Sequence, residues 1–299
     1  MSDWSGVLNE IRGMKSPFDE IRGKYLRELC NYTDRNIIAY YSGWLNKPNA
    51  NNLDINDSDM VGLTTCVHEL DCKKGLDLIL HTPGGSPTAT EGIVSYLRSK
   101  FNNDVRVIVP QMAMSAGTML ACSAKVVLMG KHSSLGPIDP QFNGIPAYNI
   151  KREYEEAKKD LLANPASATY WAIKLGQYPA AFMYNAIDAI NLSSTLLSDW
   201  LGTCMFDKNS PDDIKIISNI VSSLNEHDNN KVHGRHLNAE ACKKIGLKIE
   251  MLEDDDTLQD LVLSLHHAYM ISISETPAVK IIENQNQKLY VITTNIKGA

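Results

Sequence analysis

Two short segments about thirty residues apart carry the residue types that acyl transfer uses. The first is TPGG, which ends with Gly84 and Gly85, and the second is MSAGT, which contains Ser115 and Ala116. A glycine pair can turn backbone N–H groups into a cleft, where they stabilise the anionic oxygen of a tetrahedral intermediate. A serine hydroxyl in the same cleft supplies a nucleophile. The sequence therefore predicts an oxyanion hole from Gly84 or Gly85 together with Ala116, and a nucleophile at Ser115.

Each segment follows an apolar run typical of a buried strand and precedes a stretch of helical composition. The strands are predicted at 76–81 and 105–110, and the helices at about 87–100 and 116–124. Alternating strands and helices favour an α/β fold with a mostly parallel sheet. Ligand sites in such sheets lie beyond the carboxyl ends of the strands. We therefore expect the two segments to meet at one edge of the sheet.

Composition and charge exclude several other function classes. The 299 residues carry a formal net charge of −6, which argues against a nucleic-acid partner because such surfaces need a basic excess. The six cysteines include no CxxC pair, as expected for free thiols in a reducing cytoplasm. Neither a signal peptide nor an apolar run of membrane-spanning length is evident. The sequence predicts a cytoplasmic protein with no membrane partner and no metal.

The chain divides into three predicted regions. Residues 1–35 have helical periodicity and form an N-terminal arm, and residues 36–255 contain the alternating strands and helices. Residues 256–299 form a C-terminal extension, with a helix followed by a hairpin. Neither a GxSxG nucleophile elbow nor a glycine-rich phosphate loop occurs in the sequence.

The segments TPGG, MSAGT and LGPIDPQ (residues 135–141), in this order and spacing, resemble the serine dehydrogenase proteinase family. The resemblance runs from about residue 36 to residue 252, and AVKIIEN at 278–284 is also similar. It implies a Clp protease/crotonase-like repeated ββα spiral, with helical N-terminal and C-terminal extensions, related to signal peptide peptidase A. It also implies a serine endopeptidase that forms an acyl-enzyme on peptide or unfolded protein substrates, assembles as a homo-oligomer and needs no cofactor.

The resemblance leaves the general base open. Relatives of the signal peptide peptidase type use a Ser–Lys dyad, which points to Lys158 or Lys174, and burial would have to lower the pKa of that lysine. Lys158 lies on a strongly charged helix, and Lys174 lies in a more apolar stretch. The rival arrangement is a Clp-type triad in which His132 is the base and Asp139 orients it. The dyad is the favoured hypothesis.

Two other function classes stay open. A crotonase-type acyl-CoA enzyme would use the same oxyanion hole with a carboxylate, for which Glu91 is the nearest candidate. A catalytically silent peptide-binding scaffold would result if no base approaches Ser115. The HGRH sequence, from His233 to His236, is a weak metal motif, and we interpret it as a loop that shapes the substrate groove. A structural hydrogen bond is the favoured role for His81.

Overall fold

A computed structural model of the chain describes residues 17–142, 144–225 and 232–294. The first half of the predicted N-terminal arm and the last five residues of the C-terminal extension lie outside these ranges. The helices are α1 (Pro17–Thr33), α2 (Asp59–Val67), α3 (Pro87–Phe101), α4 (Ala116–Cys122), α5 (Ala147–Ala163), α6 (Ala168–Leu175), α7 (Phe182–Trp200), α8 (Pro211–Asn225), α9 (Ala239–Ile245) and α10 (Asp256–Glu275). The strands are β1 (Asn36–Ser42), β2 (Leu76–His81), β3 (Val105–Val109), β4 (Met112–Ala113), β5 (Val126–Met129), β6 (Ser134–Leu135), β7 (Gln141–Phe142), β8 (Ile145–Pro146), β9 (Leu237–Asn238), β10 (Ile249–Met251), β11 (Ala278–Asn284) and β12 (Leu289–Thr293).

The described residues form a seven-stranded sheet in the order β10-β5-β3-β2-β1-β11-β12. The strands from β10 to β1 run parallel, and β11 and β12 are antiparallel additions at one side. The carboxyl ends of β1 and β2 lie side by side, with Tyr41 opposite His81. The predicted α/β class and the mostly parallel sheet are confirmed.

Alternate side chains of the central strands enter two separate cores, because successive residues of a strand point to opposite faces. In β1, Ile38 and Tyr40 join the larger core, while Ile37 and Tyr41 join the smaller one. Helices α2, α3, α4, α7, α8 and α9 pack in the larger core. Helices α1 and α10 cover the opposite face. Burial on both faces explains why the parallel strands read as continuous apolar runs.

The regions that the sequence predicts as extensions are joined closely to the central sheet. Strand β11, in the C-terminal region, pairs directly with β1 over Ile38 to Ser42. In addition, Arg22 on α1 donates to Glu283 on β11 at 2.7 Å, and both side chains are buried. The three-region division stays a prediction, but β11 belongs to the same sheet as the strands that carry the candidate site.

A second, three-stranded sheet in the order β4-β6-β9 stands at the edge where the candidate residues meet. Strand β4 lies immediately before Ser115 and runs parallel to β6, with Ala113 opposite Leu135. Strand β9, which follows the HGRH sequence, is antiparallel to β6. This small sheet therefore brings three distant parts of the chain beside the serine.

Candidate active site

Ser115 occupies a tight turn between β4 and α4. Its backbone has φ 52° and ψ −118°, a conformation that costs free energy for any residue with a Cβ. The side chain makes no capping hydrogen bond to α4 and is partly exposed. Strained backbone of this kind is concentrated at functional sites, where the surrounding fold holds a side chain in a required direction. The turn presents the Ser115 hydroxyl at the carboxyl edge of the sheet.

Gly84 lies directly against this turn. A Cβ at residue 84 would stand 2.6 Å from the Met114 carbonyl oxygen, 2.7 Å from Ser115 Cβ and 3.0 Å from the Ala116 nitrogen. The φ of Gly84 is +101°, which also favours glycine. The two predicted segments are therefore in contact, as the parallel sheet requires, and only glycine permits this approach.

Gly85 is paired with Ile55, which forms a one-residue parallel bridge. The Ile55 N–H donates to the Gly84 carbonyl at 2.7 Å, and the Ser86 N–H donates to the Ile55 carbonyl at 2.8 Å. In a parallel pair of this register, the residue between those two contacts directs its own N–H away from the partner. Within the described residues the Gly85 N–H meets no acceptor.

The other glycine of the pair has its N–H already engaged. Gly84 donates to the Thr82 hydroxyl at 3.2 Å. Ala116, in contrast, is the first residue of α4, and helix N-terminal N–H groups have no partner within the helix. Of the predicted oxyanion donors, those left without an acceptor among the described residues are thus the N–H groups of Gly85 and Ala116. Ala116 directly follows Ser115, and Gly85 directly follows the glycine that contacts Ser115, so both N–H groups stay candidates for an oxyanion hole.

The LGPIDPQ segment packs on the serine turn through Gly136. A Cβ there would stand 2.6 Å from Met114 Cε and 3.4 Å from Met114 Cα. The Gly136 N–H donates to the Thr118 hydroxyl at 2.9 Å, and that hydroxyl donates to the Ala113 carbonyl, also at 2.9 Å. Thr118 therefore ties the first turn of α4 to β4 and to the segment that leads into Asp139.

Asp139 is fully buried, and its histidine partner is His233. The His233 Nδ1 lies 2.8 Å from Asp139 Oδ1, and Gln141 Nε2 donates to Asp139 Oδ2 at 2.8 Å. The Nε2 of His132, the histidine that the sequence pairs with Asp139, lies 2.9 Å from the Pro110 carbonyl oxygen instead. The sequence pattern indicated His233 only as part of a groove-shaping loop.

The two histidines of the HGRH loop lie against different groups. His236 Nδ1 lies 3.0 Å from the Ser134 hydroxyl, so the two histidines of the loop have different partners. No group of three or more potential ligands that could hold a metal occurs among residues 17–142, 144–225 and 232–294. The loop instead supplies one imidazole, with 32% of its side chain exposed, beside a buried carboxylate.

The predicted lysine bases lie in unsuitable environments. Lys158 is exposed on α5. The Nζ of Lys174 is 2.5 Å from Glu153, and this contact raises the pKa of Lys174, whereas a lysine base needs a lowered pKa. Burial lowers the pKa of Lys47 and of Lys280. Sequence reasoning overlooked Lys280, although a lysine inside the apolar run AVKIIEN was a visible signal.

Two further candidate residues differ in their surroundings. Glu91 is exposed on α3 and provides no buried carboxylate of the kind that the acyl-CoA alternative would use. His81 is fully buried, and its ring lies 4.3 Å from the ring of Trp44 and 5.3 Å from that of His266. Burial lowers the pKa of His81 to about 3, so this imidazole is neutral near pH 7. Neither ring nitrogen has a hydrogen-bond partner among the described residues, so the structural hydrogen bond expected of His81 is not observed.

The sequence matches the profile of the ClpP-like SDH-type serine proteinase family over residues 16–166. The chain belongs to this family. Two uncharacterized proteins of Methanocaldococcus jannaschii are also similar. One is 34% identical over 144 residues, covering 46% of this chain and 49% of the relative. The other is 40% identical over 79 residues, covering 26% and 27%. The chain thus spans about half of the first relative's length and about a quarter of the second's.

Two solved structures are more distant. A mutant of ClpP1 from Listeria monocytogenes aligns with a TM-score of 0.38 and 12% identity, over 76% of this chain and 97% of that one. A mutant of 1510-N, a membrane-bound stomatin-specific protease, aligns with a TM-score of 0.28 and 18% identity, over 67% and 92%. In the part of this chain that the structure describes, no helix is both long and apolar enough to cross a membrane.

Proposed function

We propose that this protein is a serine endopeptidase that forms an acyl-enzyme on Ser115. The observation that carries the proposal is the contact of Gly84 with the strained Ser115 turn, with unengaged N–H groups on the adjoining residues Gly85 and Ala116. Such donors bind the oxygen that becomes negative when a hydroxyl attacks a peptide carbonyl. Membership of a serine proteinase family supports the same reaction.

We assign the general base to His233. Its Nδ1–H donates to the buried Asp139 carboxylate, which leaves Nε2 as the nitrogen that can accept a proton. In the first step Ser115 Oγ attacks the peptide carbonyl while its proton passes to His233 Nε2, and collapse of the tetrahedral intermediate transfers that proton to the leaving amine. In the second step a water molecule, deprotonated by the same nitrogen, hydrolyses the acyl-enzyme.

The position of the LGPIDPQ segment, which packs beside Ser115 and contains Asp139, supports the assignment of His233 as the base. Gly136 rests on Met114, the residue before the nucleophile, and Asp139 follows three residues further along. A Ser–Lys dyad through Lys158 or Lys174 is the second candidate mechanism, and it would need the lysine concerned to leave the surroundings described above. Single Lys158→Ala and Lys174→Ala variants separate the two mechanisms, because neither change touches the Asp139–His233 pair.

The test of the proposed reaction is a comparison of wild type with Ser115→Ala in casein and peptide-ester hydrolysis. Ser99→Ala is the matched control, because Ser99 is exposed on α3 and bonds only the Tyr96 carbonyl among the contacts described. We expect Ser115→Ala to lose about 10⁴-fold or more in kcat, and the control to keep wild-type activity. Equal cleavage by wild type and Ser115→Ala, or no cleavage by either, would contradict the proposal.

The remaining features of the proposal are the substrate class and the setting. We propose peptides or unfolded proteins as substrates, a homo-oligomer as the working form, and the cytoplasm as the location. Exposed apolar side chains on α5, α6 and α7 support an assembly, among them Leu162, Ile173 and Tyr184 at 80, 66 and 72% exposure. Light scattering on the purified chain tests this, and a strictly monomeric, active enzyme would contradict it.

A further inference from the structure

The one-residue strand at Ile55 has two edges, and each edge is engaged. Its own N–H and carbonyl bond the glycine turn, through Gly84 and Ser86. The neighbouring groups, the Asp54 carbonyl and the Asn56 N–H, point to the opposite side, as they must in extended backbone. Ile55 therefore bonds the glycine turn on one side, and the backbone groups next to it are free to bond a second partner on the other side.

A buried ion pair binds the opposite edge of the Ile55 strand. The Nζ of Lys280 donates to the Asp54 carbonyl at 2.7 Å and to both carboxylate oxygens of Asp59, at 2.7 and 3.0 Å. Asp59 Oδ2 also accepts the Asn56 N–H at 3.0 Å. The side chains of Lys280 and Asp59 are both fully buried. The pair thus binds the two backbone groups that flank Ile55.

Tyr40 adds a further contact to the pair. It donates its phenol hydrogen to Asp59 Oδ2 at 2.7 Å, and its side chain is buried. Asp59 is therefore held by Lys280 and Tyr40 together while it binds the Asn56 N–H.

We infer that Lys280 is a positioning residue for the oxyanion hole: by holding Asp54 and Asp59 it fixes the Ile55 strand, and so the direction of the Gly85 N–H. The inference rests on the proposed peptidase function of the site. Lys280 is not the base, because its donors are engaged and its side chain has no exposed surface. A buried ion pair is weak evidence for stability, since apolar replacements often serve equally well. Its contacts with the backbone behind the glycine turn indicate a role in geometry.

The test uses two variants of the full chain and a control. Lys280→Met keeps the length of the side chain and removes the charge, and Lys280→Met with Asp59→Asn also removes the carboxylate charge left behind. In the double variant the amide oxygen introduced by Asp59→Asn can still accept from Tyr40. The control is Lys47→Met, because Lys47 is a partly buried lysine that also donates to backbone carbonyls, at Thr276 and Ala278, without touching the Ile55 strand.

We expect the double variant to fold and to hydrolyse a peptide ester with kcat lowered about 10- to 100-fold at unchanged KM, because a misdirected donor weakens transition-state binding alone. Lys47→Met should retain the wild-type kcat. A folded double variant with wild-type kcat would overturn the inference. An equal loss in Lys47→Met would do so too, because the effect would then come from general damage to this side of the sheet.

A second measurement does not depend on catalysis. Hydrogen exchange followed by mass spectrometry should show faster exchange in peptides that cover residues 53–58 and 84–87 in the double variant, and no change there in Lys47→Met. Unchanged exchange would overturn the positioning role even if the enzyme proved inactive. An inactive wild type that nevertheless shows the exchange difference would instead refute the proposed function alone.

Discussion

The two halves of the candidate site are built in different ways. The oxyanion half consists of backbone donors on a glycine turn, and Ile55 and the buried Lys280–Asp59 pair hold that turn from behind. The base half consists of a single side chain, His233, on a loop beside β9, and it is held by one hydrogen bond to Asp139. One half is fixed by backbone hydrogen bonds and a buried ion pair, and the other by a single side-chain contact.

This difference separates two requirements of catalysis. Stabilisation of a developing charge depends on dipoles that are already in place, so it benefits from rigid backbone. Proton transfer needs a group that can approach the nucleophile and then the leaving group, so it tolerates a loop. We expect substitutions in the base half to affect proton transfer with little loss of stability, and substitutions in the oxyanion half to affect both.

The largest expected effect breaks the base half. His233→Ala should lower kcat by about 10³-fold, because general-base catalysis contributes on the order of 10²- to 10⁴-fold. It should lower the thermal midpoint less than Gly85→Ala does, because the buried Asp139 carboxylate keeps its hydrogen bond from Gln141. Steady-state hydrolysis of a peptide ester measures the first quantity and circular dichroism the second. His132→Ala and His236→Ala are matched controls, because each removes an imidazole from the same region.

The comparison fails if His132→Ala, rather than His233→Ala, abolishes turnover. Asp139→Asn should lower kcat less than His233→Ala, since it weakens the orientation of the base and keeps the imidazole. Loss of activity in Lys174→Ala with full activity in His233→Ala would return the mechanism to the Ser–Lys dyad.

A smaller loss of turnover is expected from the oxyanion half. In Gly85→Ala the new Cβ would stand 2.4 Å from the Ile55 nitrogen and oxygen, at a φ of +150°. The turn must move, and we expect kcat to fall about 10²-fold together with a lower urea midpoint. Gly144→Ala is the control, because Gly144 also has a positive φ, +80°, but its Cβ would meet nothing within 4 Å. Equal kcat values for the two variants would contradict the role of Gly85.

The smallest expected effect is a loss of folding stability at acid pH, and it arises in the oxyanion half. His81 directly precedes the TPGG segment, and its ring lies against that of Trp44. Burial lowers the pKa of His81 to about 3. Because the unfolded chain protonates this histidine near pH 6.5 and the folded chain does not, stability falls as pH decreases from about 6.5 towards 3. The loss between pH 7 and pH 5 should be about 2 kcal/mol for His81 alone.

His81→Phe keeps an aromatic ring and removes the titrating group. Urea titrations at pH 7 and pH 5 should therefore show a smaller acid loss for this variant than for wild type. His266 has its pKa lowered by burial as well, so part of the loss should remain. An identical acid loss in His81→Phe and wild type would show that this histidine is not neutral in the folded state.

Local signals predicted the strand and the turn that carry the glycine pair. The strand at 76–81 is present with the predicted bounds, and the glycine pair and Ser115 meet at the expected edge. Apolar runs and glycines act over a few residues, so the sequence displays them directly. The partners behind the turn were not predictable in this way, because Ile55 and Lys280 reach it through pairing between distant segments.

The base half was harder to predict from the sequence. Asp139 and His233 are 94 residues apart, and no spacing rule joins them. The family resemblance indicated a lysine base between residues 151 and 174. In the structure, Lys174 lies against Glu153, and this contact stabilises the charged form of the lysine. The buried lysine is Lys280, and it serves backbone groups. The surroundings of Lys174 and of Lys280 both depend on tertiary contacts, which the sequence pattern does not display.

The most direct test of the central claim is to locate the nucleophile by covalent trapping. Wild-type protein is treated with a fluorophosphonate, digested and analysed by mass spectrometry, with Ser115→Ala and Gly85→Ala treated in parallel. We predict a single adduct on the peptide that contains Ser115, none in Ser115→Ala, and slower labelling in Gly85→Ala. An adduct on a different serine, or no adduct on the folded wild-type protein, would contradict the account.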